Sequence, residues 1–341
     1  MVLTLQKIYN DDLVVTLDEL KHDQDLVKQI EVRLRELALL ENTEVDGAYT
    51  AATEQALKQF CDAAFLNNLD IKRFGRTFAK KLIEMPSPLS IPTASRAVTL
   101  NLTGSVGDGG NNHAADVLAI KNRLADLGFQ AARNTTIDSD TIHTIRLFQS
   151  AIGGFTIIDS SLVDGRIDVN GATQQFLEAA NAPRWQEMPI GSSAEGFLNH
   201  DHVQRDVHDF GTDWMIDTLK GAAALYRSTH LTANPGAALL TTNNLSIARG
   251  GQSPYHATHQ TGLCCDLLLP RKDGTAGAIV VSDPAYDRNA MRAMLISLRQ
   301  QKYKISQILL NDFTLRAAGL CHFAPGHDNH AHIDITPPDP Q

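Results

Sequence analysis

Two short histidine-rich strings in the C-terminal quarter of the chain carry side chains that could hold a metal ion. They span residues 256–266 and 327–332. Two imidazoles and a carboxylate contributed by separate segments are a common way to bind a catalytic zinc ion, with one coordination position left for water. We therefore expect one Zn²⁺ ion, bound by His259, Asp266 and His332.

The second string predicts a strand that carries its polar side chains on one face. Side chains alternate between the two faces of a strand. His330, His332 and Asp334 therefore share one face, while the alanine and the isoleucines between them face the core. Both imidazoles are expected to project into the same cleft.

Asp266 lies inside an otherwise apolar strand predicted over residues 264–269. An unpaired carboxylate in such a strand carries a heavy desolvation cost, so it requires a cation or strong hydrogen-bond donors. If this strand pairs with the second string, Asp266 comes to lie beside His332. A turn at Gly262 then lets His259 fold back and complete the site, with each ligand about 2.0 to 2.2 Å from the ion.

The chemistry that such a site supplies is hydrolysis. A zinc ion lowers the pKa of its bound water to about 7 and polarises a carbonyl group, which permits amide hydrolysis without a covalent intermediate. His330 is not needed as a fourth ligand, and we expect it to accept or return the proton. The protein is accordingly expected to be an enzyme.

The cysteines are not expected among the ligands. There are four, Cys61, Cys264, Cys265 and Cys321. They match no Cys-x-x-Cys metal spacing and are too few for a disulfide scaffold. Side-chain alternation turns Cys265 away from the face of Asp266, and both adjacent cysteines are left out of the site. They are interpreted as small buried side chains, with a bridge from Cys321 to Cys264 or Cys265 as the open alternative.

Length and charge limit the possible classes of protein. The chain has 341 residues, 43% of them hydrophobic, which suggests two or three domains. Its 30 basic and 39 acidic residues leave a formal net charge of -9. This balance argues against a phosphate-binding surface and hence against nucleic acid as a partner. No stretch approaches the ~18 uninterrupted apolar residues of a membrane span.

The start of the chain lacks the features of a secretory signal. It carries Asp11, Asp12, Asp18 and Glu19, and has no cationic start followed by an apolar stretch. A substrate outside the cytoplasm would therefore require another route, such as a secretion apparatus, cell lysis or delivery into another cell.

Two stretches in the first half of the chain share a plan of helix, turn and helix. The apolar residues that recur at helical spacing are Leu26, Ile30, Leu34 and Leu37 in the first copy, and Val117, Ile120, Leu124 and Leu127 in the second. An Asp-Gly turn follows in each copy, at Asp46-Gly47 and at Asp164-Gly165, and a threonine comes shortly afterwards. Such pairs suit turns because glycine accepts positive φ and aspartate bonds to nearby backbone amides.

This pattern resembles peptidoglycan-binding modules, which are small three-helix domains. The matching residues are Asp46 to Tyr49, Thr53 and Ala56 to Phe60 in the first copy, and Phe148-Gln149 and Asp164-Gly165 in the second. Generic helical bundles are the alternative. We expect modules over residues 1–84 and 116–182, a Pro- and Gly-rich linker over residues 85–115, a second linker over residues 183–196, and a C-terminal domain over residues 197–341.

The C-terminal domain is predicted to mix helices and strands. Helices are expected over Trp214 to Ser228 and from an Asp283-Pro284 cap through Leu298, and strands over residues 239–249, 264–269, 305–310 and 331–335. The predicted fold class is α+β: two small helical modules followed by an α+β domain with a small, largely antiparallel sheet.

The histidine strings also resemble the motifs of the penicillin-insensitive murein endopeptidases. The matching residues are Ser246 to Gly251, His256-x-x-His259-Gln260-x-Gly262-x-x-x-Asp266 and Gly326-His327-Asp328-x-His330-x-His332. Those enzymes share a superfamily with lysostaphin, D-Ala-D-Ala metallopeptidases and the sonic hedgehog signalling domain. The resemblance covers roughly the last 140 residues, one ordinary domain.

The resemblance implies a role for each residue of the strings. It makes His259, Asp266 and His332 the ligands, His330 the base-like residue, His256 and His327 residues that line the site, and Arg249 a residue that steadies the oxyanion or a substrate carboxylate. Related dipeptidases have a glutamate three residues before the last histidine, where this chain has Asn329. His330 therefore leads as the general base and His327 follows. Anchoring of a structural carboxylate is the equal alternative for Arg249.

The sequence thus predicts a zinc-dependent hydrolase of bacterial peptidoglycan, whose modules hold the wall while the C-terminal domain cleaves a peptide bond of the stem or cross-link. The resemblance favours a D,D-endopeptidase acting between D-alanine and meso-diaminopimelate. An amidase, an L,D-peptidase or a carboxypeptidase would use the same metal centre. A non-catalytic, zinc-containing wall-binding module is the alternative of another class.

The biological setting stays open at this point. The protein is expected to act in the periplasm or the cell wall. A phage-type lysin, an antibacterial effector delivered by a secretion apparatus and countered by an immunity protein, and a housekeeping enzyme all fit the sequence. The oligomeric state is open as well.

Overall fold

A computed structural model describes residues 3–37, 39–40, 44–63, 66, 68–84, 97–201, 208–253 and 256–341 of the chain. The chain divides into two compact units, Met1–Thr93 and Ala94–Gln341. Both combine helices with short strands, and most of the paired strands are antiparallel. The α+β class predicted from the sequence agrees with this mixture. None of the described helices has the length and apolarity that a membrane span requires.

The first unit is mainly helical. Its elements are α1 (Leu5–Asn10), β1 (Val15–Thr16), α2 (Leu17–His22), α3 (Gln24–Glu36), α4 (Ala51–Ala63), α5 (Asn68–Ile71), β2 (Arg73–Phe74) and α6 (Arg76–Glu84). The residues whose spacing predicted α3 are buried in the core of this unit. Phe60 of α4 meets Phe78 of α6 edge to face there, with ring centroids 5.7 Å apart.

A buried carboxylate fixes the Asp-Gly turn between α3 and α4. Glu31 on α3 accepts hydrogen bonds from the Gly47 N–H and from the Thr53 hydroxyl, each 2.8 Å long. Gly47 has a φ of 88°, and a Cβ at this position would lie 2.9 Å from the carbonyl oxygen of Gln24. The turn therefore requires glycine, as its sequence predicts.

The second unit begins with another helical part. It consists of β3 (Val106–Gly107), α7 (Ala114–Asp126), α8 (Ser139–Gly153), β4 (Arg166–Ile167) and α9 (Ala172–Glu178). Gln149 on α8 fixes the Asp-Gly turn of this part, as Glu31 does in the first unit. Its side-chain oxygen accepts a hydrogen bond of 2.8 Å from the Gly165 N–H, and its amide nitrogen donates to the Thr173 hydroxyl at 3.3 Å. The two repeats thus share a way of fixing the turn as well as a sequence pattern.

Both stretches expected as linkers carry regular structure where they are described. Strand β3 falls in the first, of which residues 85–96 lie outside the described residues. Strands β5 (Trp185–Glu187) and β6 (Gly191–Ser192) fall in the second. The indole N–H of Trp185 donates to the Ala248 carbonyl at 2.8 Å, while its ring lies against Phe129, with centroids 5.7 Å apart. These contacts tie the helical part to the C-terminal part within one unit.

The C-terminal part is built around a six-stranded sheet. Its further elements are β7 (Phe197–Asn199), β8 (Phe210–Thr212), α10 (Asp213–Tyr226), β9 (Leu240–Thr242), β10 (Cys264–Leu268), α11 (Arg288–Arg299), β11 (Ile305–Leu309), α12 (Phe313–Ala317) and β12 (His330–Ile335). The strand order is β11-β12-β10-β9-β7-β6, and within this sheet only the β7–β9 pair is parallel. Helices α10 and α11 share one hydrophobic core with this sheet. Strand β8 pairs with β5 instead.

The helix expected from Asp283 begins later than predicted. Helix α11 starts at Arg288, because Asp287 accepts hydrogen bonds from two backbone N–H groups of the first turn. Asp283 instead accepts a bond from the Ala285 N–H in a tight turn. The cap predicted at Asp283-Pro284 is therefore wrong by one turn.

The strand expected over residues 239–249 is shorter than predicted. Only Leu240–Thr242 forms a strand. Beyond it the backbone changes partner: the Leu245 N–H donates to the His208 carbonyl, and Ser246 exchanges two hydrogen bonds with Phe210. The other predicted strands, β10, β11 and β12, lie where the sequence places them to within a residue.

Candidate metal centre

Strands β10 and β12 bring two of the expected ligands together. They pair antiparallel with Asp266 directly opposite His332, which is the register that the sequence predicts. Ala331 and Ile333 face the hydrophobic core, as does Cys265. The alternation of both strands is therefore as predicted, and it places Asp266 and His332 on the same face of the sheet.

His259 reaches this pair from a buried turn. Its φ is 62°, in the left-handed region that only a few per cent of non-glycine residues adopt, and the residue is 1% exposed. The turn continues to Gly262, whose φ is 71° and where a Cβ would lie 2.6 Å from the Thr212 nitrogen. The tight turn that the sequence predicts at Gly262 thus carries the ligand back to the sheet.

The three ligand atoms form a compact triangle. His332 Nδ1 lies 2.9 Å from Asp266 Oδ1, His259 Nε2 lies 3.2 Å from the same oxygen, and the two nitrogens are 3.0 Å apart. Ligand atoms bound to one tetrahedral zinc ion lie about 3.3 Å from one another, given bonds of about 2.0 to 2.1 Å. The triangle therefore fits a single zinc ion with only a small expansion.

The outer nitrogen of each ring has its own hydrogen-bond acceptor. His259 Nδ1 lies 3.1 Å from the carbonyl oxygen of Leu245, and His332 Nε2 lies 2.8 Å from Asp334 Oδ1. An N–H on each outer nitrogen leaves a lone pair on each inner nitrogen, which is how metal-binding histidines are usually held. In this state His259 Nε2 and His332 Nδ1 present lone pairs to the same point as the Asp266 carboxylate, and a cation at that point could bind all three.

The charges of this cluster are set by its hydrogen bonds. Burial raises the pKa of the Asp266 carboxyl, but hydrogen bonds from His259 and His332 outweigh it and hold that pKa well below its usual range. For His332, burial disfavours the charged ring, yet hydrogen bonds to Asp266 and Asp334 raise its pKa to about 12. Without a cation the ring therefore also carries a proton on Nδ1, and metal binding would displace this proton and free the lone pair. Asp266 is therefore an anion over the physiological range, and it supplies the negative charge that a dication requires.

Asp334 is a further residue of the candidate site, to which the sequence assigns no role. It lies two residues after His332 on β12, on the face that alternation predicts for it, and it fixes the His332 ring from behind. Cys264 lies on the same face of β10 as Asp266, and it forms a group with His332 and Asp334 whose ligand atoms all lie within 4.8 Å of one another. Burial raises the pKa of its thiol to about 12. Without a bound cation the thiol therefore stays protonated.

His256 forms part of the wall of the site. Its Nδ1 lies 3.9 Å from Asp266 Oδ2, its ring centroid lies 4.5 Å from that of His259, and its Nε2 bonds to the side-chain amide of Asn244. His256 also belongs to a group of possible ligands with His259 and Asp266. We favour His332 as the third ligand because its nitrogen is the closer to the carboxylate. Burial and the neighbouring His259 lower the pKa of His256 to about 4, so its ring is neutral.

His330 and His327 lie at the mouth of the site. His330 Nε2 lies 3.8 Å from Asp266 Oδ1, and its Nδ1 lies 2.8 Å from the side-chain oxygen of Asn329. The ring of His327 lies 4.8 Å from that of His330 and 5.8 Å from that of His332. Burial lowers the pKa of His330, so its ring is ready to accept a proton. Both candidate bases are therefore beside the expected ligands.

Arg249 is held away from this cluster by an ion pair. Its Nη2 lies 2.8 Å from Asp140 Oδ1 on α8, and both side chains are exposed. Its carbonyl oxygen lies 3.1 Å from His143 Nε2. Within the described residues the guanidinium contacts Asp140 and none of the histidines. This favours the structural role over the expected contact with substrate.

His208 is a further histidine near the site, which the sequence pattern does not single out. It is 2% exposed, its Nε2 lies 2.7 Å from the Ser253 hydroxyl, and its ring centroid lies 6.0 Å from that of His256. It precedes β8 and lies outside both histidine strings, so no local spacing singles it out.

Comparison with known proteins assigns no family: no protein-family model matches the sequence, and no curated protein is significantly similar to it. The function is therefore argued from the ligand triangle and from the contacts of its outer nitrogens. Two imidazoles and one carboxylate suit zinc, with a position left for water. The four cysteines are all buried and unbridged, and one of them, Cys264, belongs to the alternative group of possible ligands with His332 and Asp334.

Proposed function

We propose that this protein is a zinc-dependent hydrolase that cleaves a peptide bond of bacterial peptidoglycan, with the D,D-cross-link as the favoured target. The observation that carries the proposal is the ligand triangle around Asp266 Oδ1, in which the outer nitrogens of His259 and His332 are both bonded to acceptors. This is the arrangement of a metal site with a position left for substrate or water.

A zinc ion at this site would supply Lewis-acid activation of water and of the scissile carbonyl. The proton is handled by His330. Its Nδ1 lies beside the Asn329 side-chain oxygen, so an N–H there leaves the Nε2 lone pair facing Asp266 and the cleft. Neutral His330 accepts a proton from the attacking water and returns it to the leaving amine. His256 and His327 line the site, where they can hold polar groups of a peptide.

The helical repeats support peptidoglycan as the polymer. Both carry the Asp-Gly turn that resembles peptidoglycan-binding modules, and both fix it with a buried side chain, Glu31 or Gln149. Weak binding by such modules raises the effective concentration of a hydrolase at an insoluble wall. The proposed place of action is the periplasm or cell wall.

Digestion of purified sacculi tests this proposal. The full-length protein is incubated with sacculi in the presence of zinc, and again after treatment with a chelator, and soluble muropeptides are identified by mass spectrometry. We expect zinc-dependent release that falls by at least about 100-fold in His330→Ala, the usual scale of a lost acid–base group. His322→Ala is the matched control, since His322 is exposed and outside the cluster.

The products of this digestion name the bond. New amino groups on diaminopimelate indicate a D,D-endopeptidase, whereas free stem peptides indicate an amidase and released single residues a carboxypeptidase. If zinc-loaded protein binds sacculi and releases no muropeptides, the protein is a non-catalytic wall-binding module and not a hydrolase.

A further inference from the structure

Two loops from distant parts of the chain meet next to the candidate metal centre. The α8–β4 loop offers the carbonyl oxygens of Phe155 and Thr156, which accept hydrogen bonds from the Thr261 hydroxyl at 2.6 Å and the Gln260 N–H at 3.1 Å. The Ile158 N–H of the same loop donates to the Gln260 side-chain oxygen at 3.0 Å. Thr261 is 0% and Gln260 9% exposed, so these bonds are buried on the side of the metal centre and partly exposed on the side of the loop.

Gln260 and Thr261, which make these bonds, directly follow His259, an expected ligand with a left-handed backbone. A left-handed backbone at a residue such as His259 persists only where the surrounding contacts fix it. The bond from His259 Nδ1 to the Leu245 carbonyl orients the ring but does not fix the following peptide groups. At Gly262 those groups are held by β8, whose Thr212 N–H donates to the Gly262 carbonyl, and by the Ser246 hydroxyl, which accepts from the Gly262 N–H. At Gln260 they are held by the Gly251 N–H, which donates to the Gln260 carbonyl at 2.8 Å, and by the α8–β4 loop.

We infer that the α8–β4 loop positions His259 for metal binding, so that the second helical repeat is a structural part of the metal centre as well as a wall-binding module. The inference rests on the proposed zinc site. Gln260 and Thr261 are positioning residues, because they act on the ion only through His259. If the repeat were a freely tethered module, loss of its contacts with these residues would leave zinc affinity unchanged.

A pair of matched variants separates positioning from general stability. Thr261→Val removes the hydroxyl that bonds to Phe155 and keeps the shape of the side chain. Thr218→Val makes the same change at a buried threonine whose hydroxyl donates to the Trp214 carbonyl at 2.7 Å within α10. Thr261→Ser keeps the hydroxyl and serves as the rescue. Gln260→Ala, which removes the acceptor for Ile158, replaces Thr261→Val should that variant fail to fold.

Zinc dissociation constants of the full-length variants are measured by competition with a chromophoric chelator. We expect Thr261→Val to bind zinc about tenfold more weakly, the scale on which loss of support around a ligand acts. Thr218→Val and Thr261→Ser are expected to bind like the parent protein. Hydrogen exchange of chelator-treated protein provides a second measurement: residues 256–262 should exchange faster in Thr261→Val and not in Thr218→Val.

The outcomes distinguish the two proposals. Parent protein that binds zinc, with unchanged affinity and exchange in Thr261→Val or with equal losses in both valine variants, overturns the positioning inference and leaves the zinc site standing. Parent protein that binds no zinc overturns the proposed function, and the positioning inference falls with it, whatever the exchange data show.

Discussion

His332 lies directly opposite Asp266 on neighbouring antiparallel strands, with its Nδ1 2.9 Å from the Asp266 carboxylate. The same ring reaches a second carboxylate with its other nitrogen, at 2.8 Å from Asp334. The His332 imidazole thus contacts two carboxylates: that of Asp266, which can bind a metal ion, and that of Asp334, which fixes the ring. The double contact fixes the orientation of the ring, and with a metal ion on Nδ1 the remaining proton lies on Nε2, facing Asp334.

Loss of the outer carboxylate should weaken zinc binding without removing a ligand. We expect Asp334→Ala to raise the zinc dissociation constant by about 10- to 100-fold, because the His332 ring loses the acceptor that fixes its tautomer. Competition with a chelator measures the change. Asp328→Ala, an exposed aspartate just before β12, should bind zinc like the parent protein. If both variants bind zinc with the same affinity, Asp334 does not contribute to the metal centre.

Zinc should stabilise the folded protein through its three ligands. Ligand in hundredfold excess over its dissociation constant adds about 2.7 kcal/mol to the free energy of unfolding. We therefore expect the Tm to fall by several degrees on treatment with a chelator and to recover with added zinc. Asp266→Ala should abolish the recovery, whereas His322→Ala should keep it. A Tm that zinc leaves unchanged in the parent protein contradicts the proposed site.

Asp213 should make stability depend on pH. Burial raises the pKa of this carboxyl, at the start of α10, to about 6, although a hydrogen bond from the Arg184 N–H opposes the shift. A raised acid pKa stabilises the folded state below the unfolded pKa of about 4, and this stabilisation is lost as the pH rises through 6.

The variant Asp213→Asn removes this titration. It should be more stable than the parent protein at pH 8, by on the order of 1 kcal/mol, and should show no such gain at pH 4. Denaturant unfolding at both pH values measures the difference. Asp339→Asn changes an exposed carboxyl and should be neutral at both. A gain of the same size at pH 4 would attribute the effect to packing.

Glu31 should be a large contributor to the stability of the first unit. Glu31→Ala leaves the Gly47 N–H without its acceptor, at a cost of about 1 to 3 kcal/mol, and leaves the Thr53 hydroxyl with its longer bond to the Ala48 carbonyl at 3.3 Å. Glu31→Gln should cost less, because Gln149 fixes the equivalent turn in the second repeat. Denaturant unfolding measures both. Glu54→Ala breaks only a surface ion pair and should change stability by less than about 1 kcal/mol.

The sequence predicts the pairing of Asp266 with His332 well because two strong local constraints act on it. The alternation of side chains fixes which residues of β12 face the site, and the desolvation cost of a carboxylate in an apolar strand requires Asp266 to face a partner. Both constraints can be read without knowledge of the rest of the fold. The register that places Asp266 opposite His332 then follows once the two strands pair.

The sequence fails where the deciding contact is remote or where two local signals are equivalent. The partner of Arg249 is Asp140, more than a hundred positions earlier in the chain, and no motif links them. Asp283 and Asp287 are both good helix caps, and only the packing of α11 decides between them. In the stretch expected as the second linker, Trp185 contacts Ala248, and local composition does not encode such a contact.

The close packing around Gly262 limits which amino acids can replace it. A methyl group at this position would meet the backbone of Thr212 and the indole of Trp185, each at 2.6 Å. Gly262 is not an expected ligand. It lies where the turn that carries His259 packs against strand β8 and against Trp185, which contacts the helical part. In a saturation-mutagenesis library selected for function, codon 262 should tolerate replacement as poorly as the histidine codons themselves.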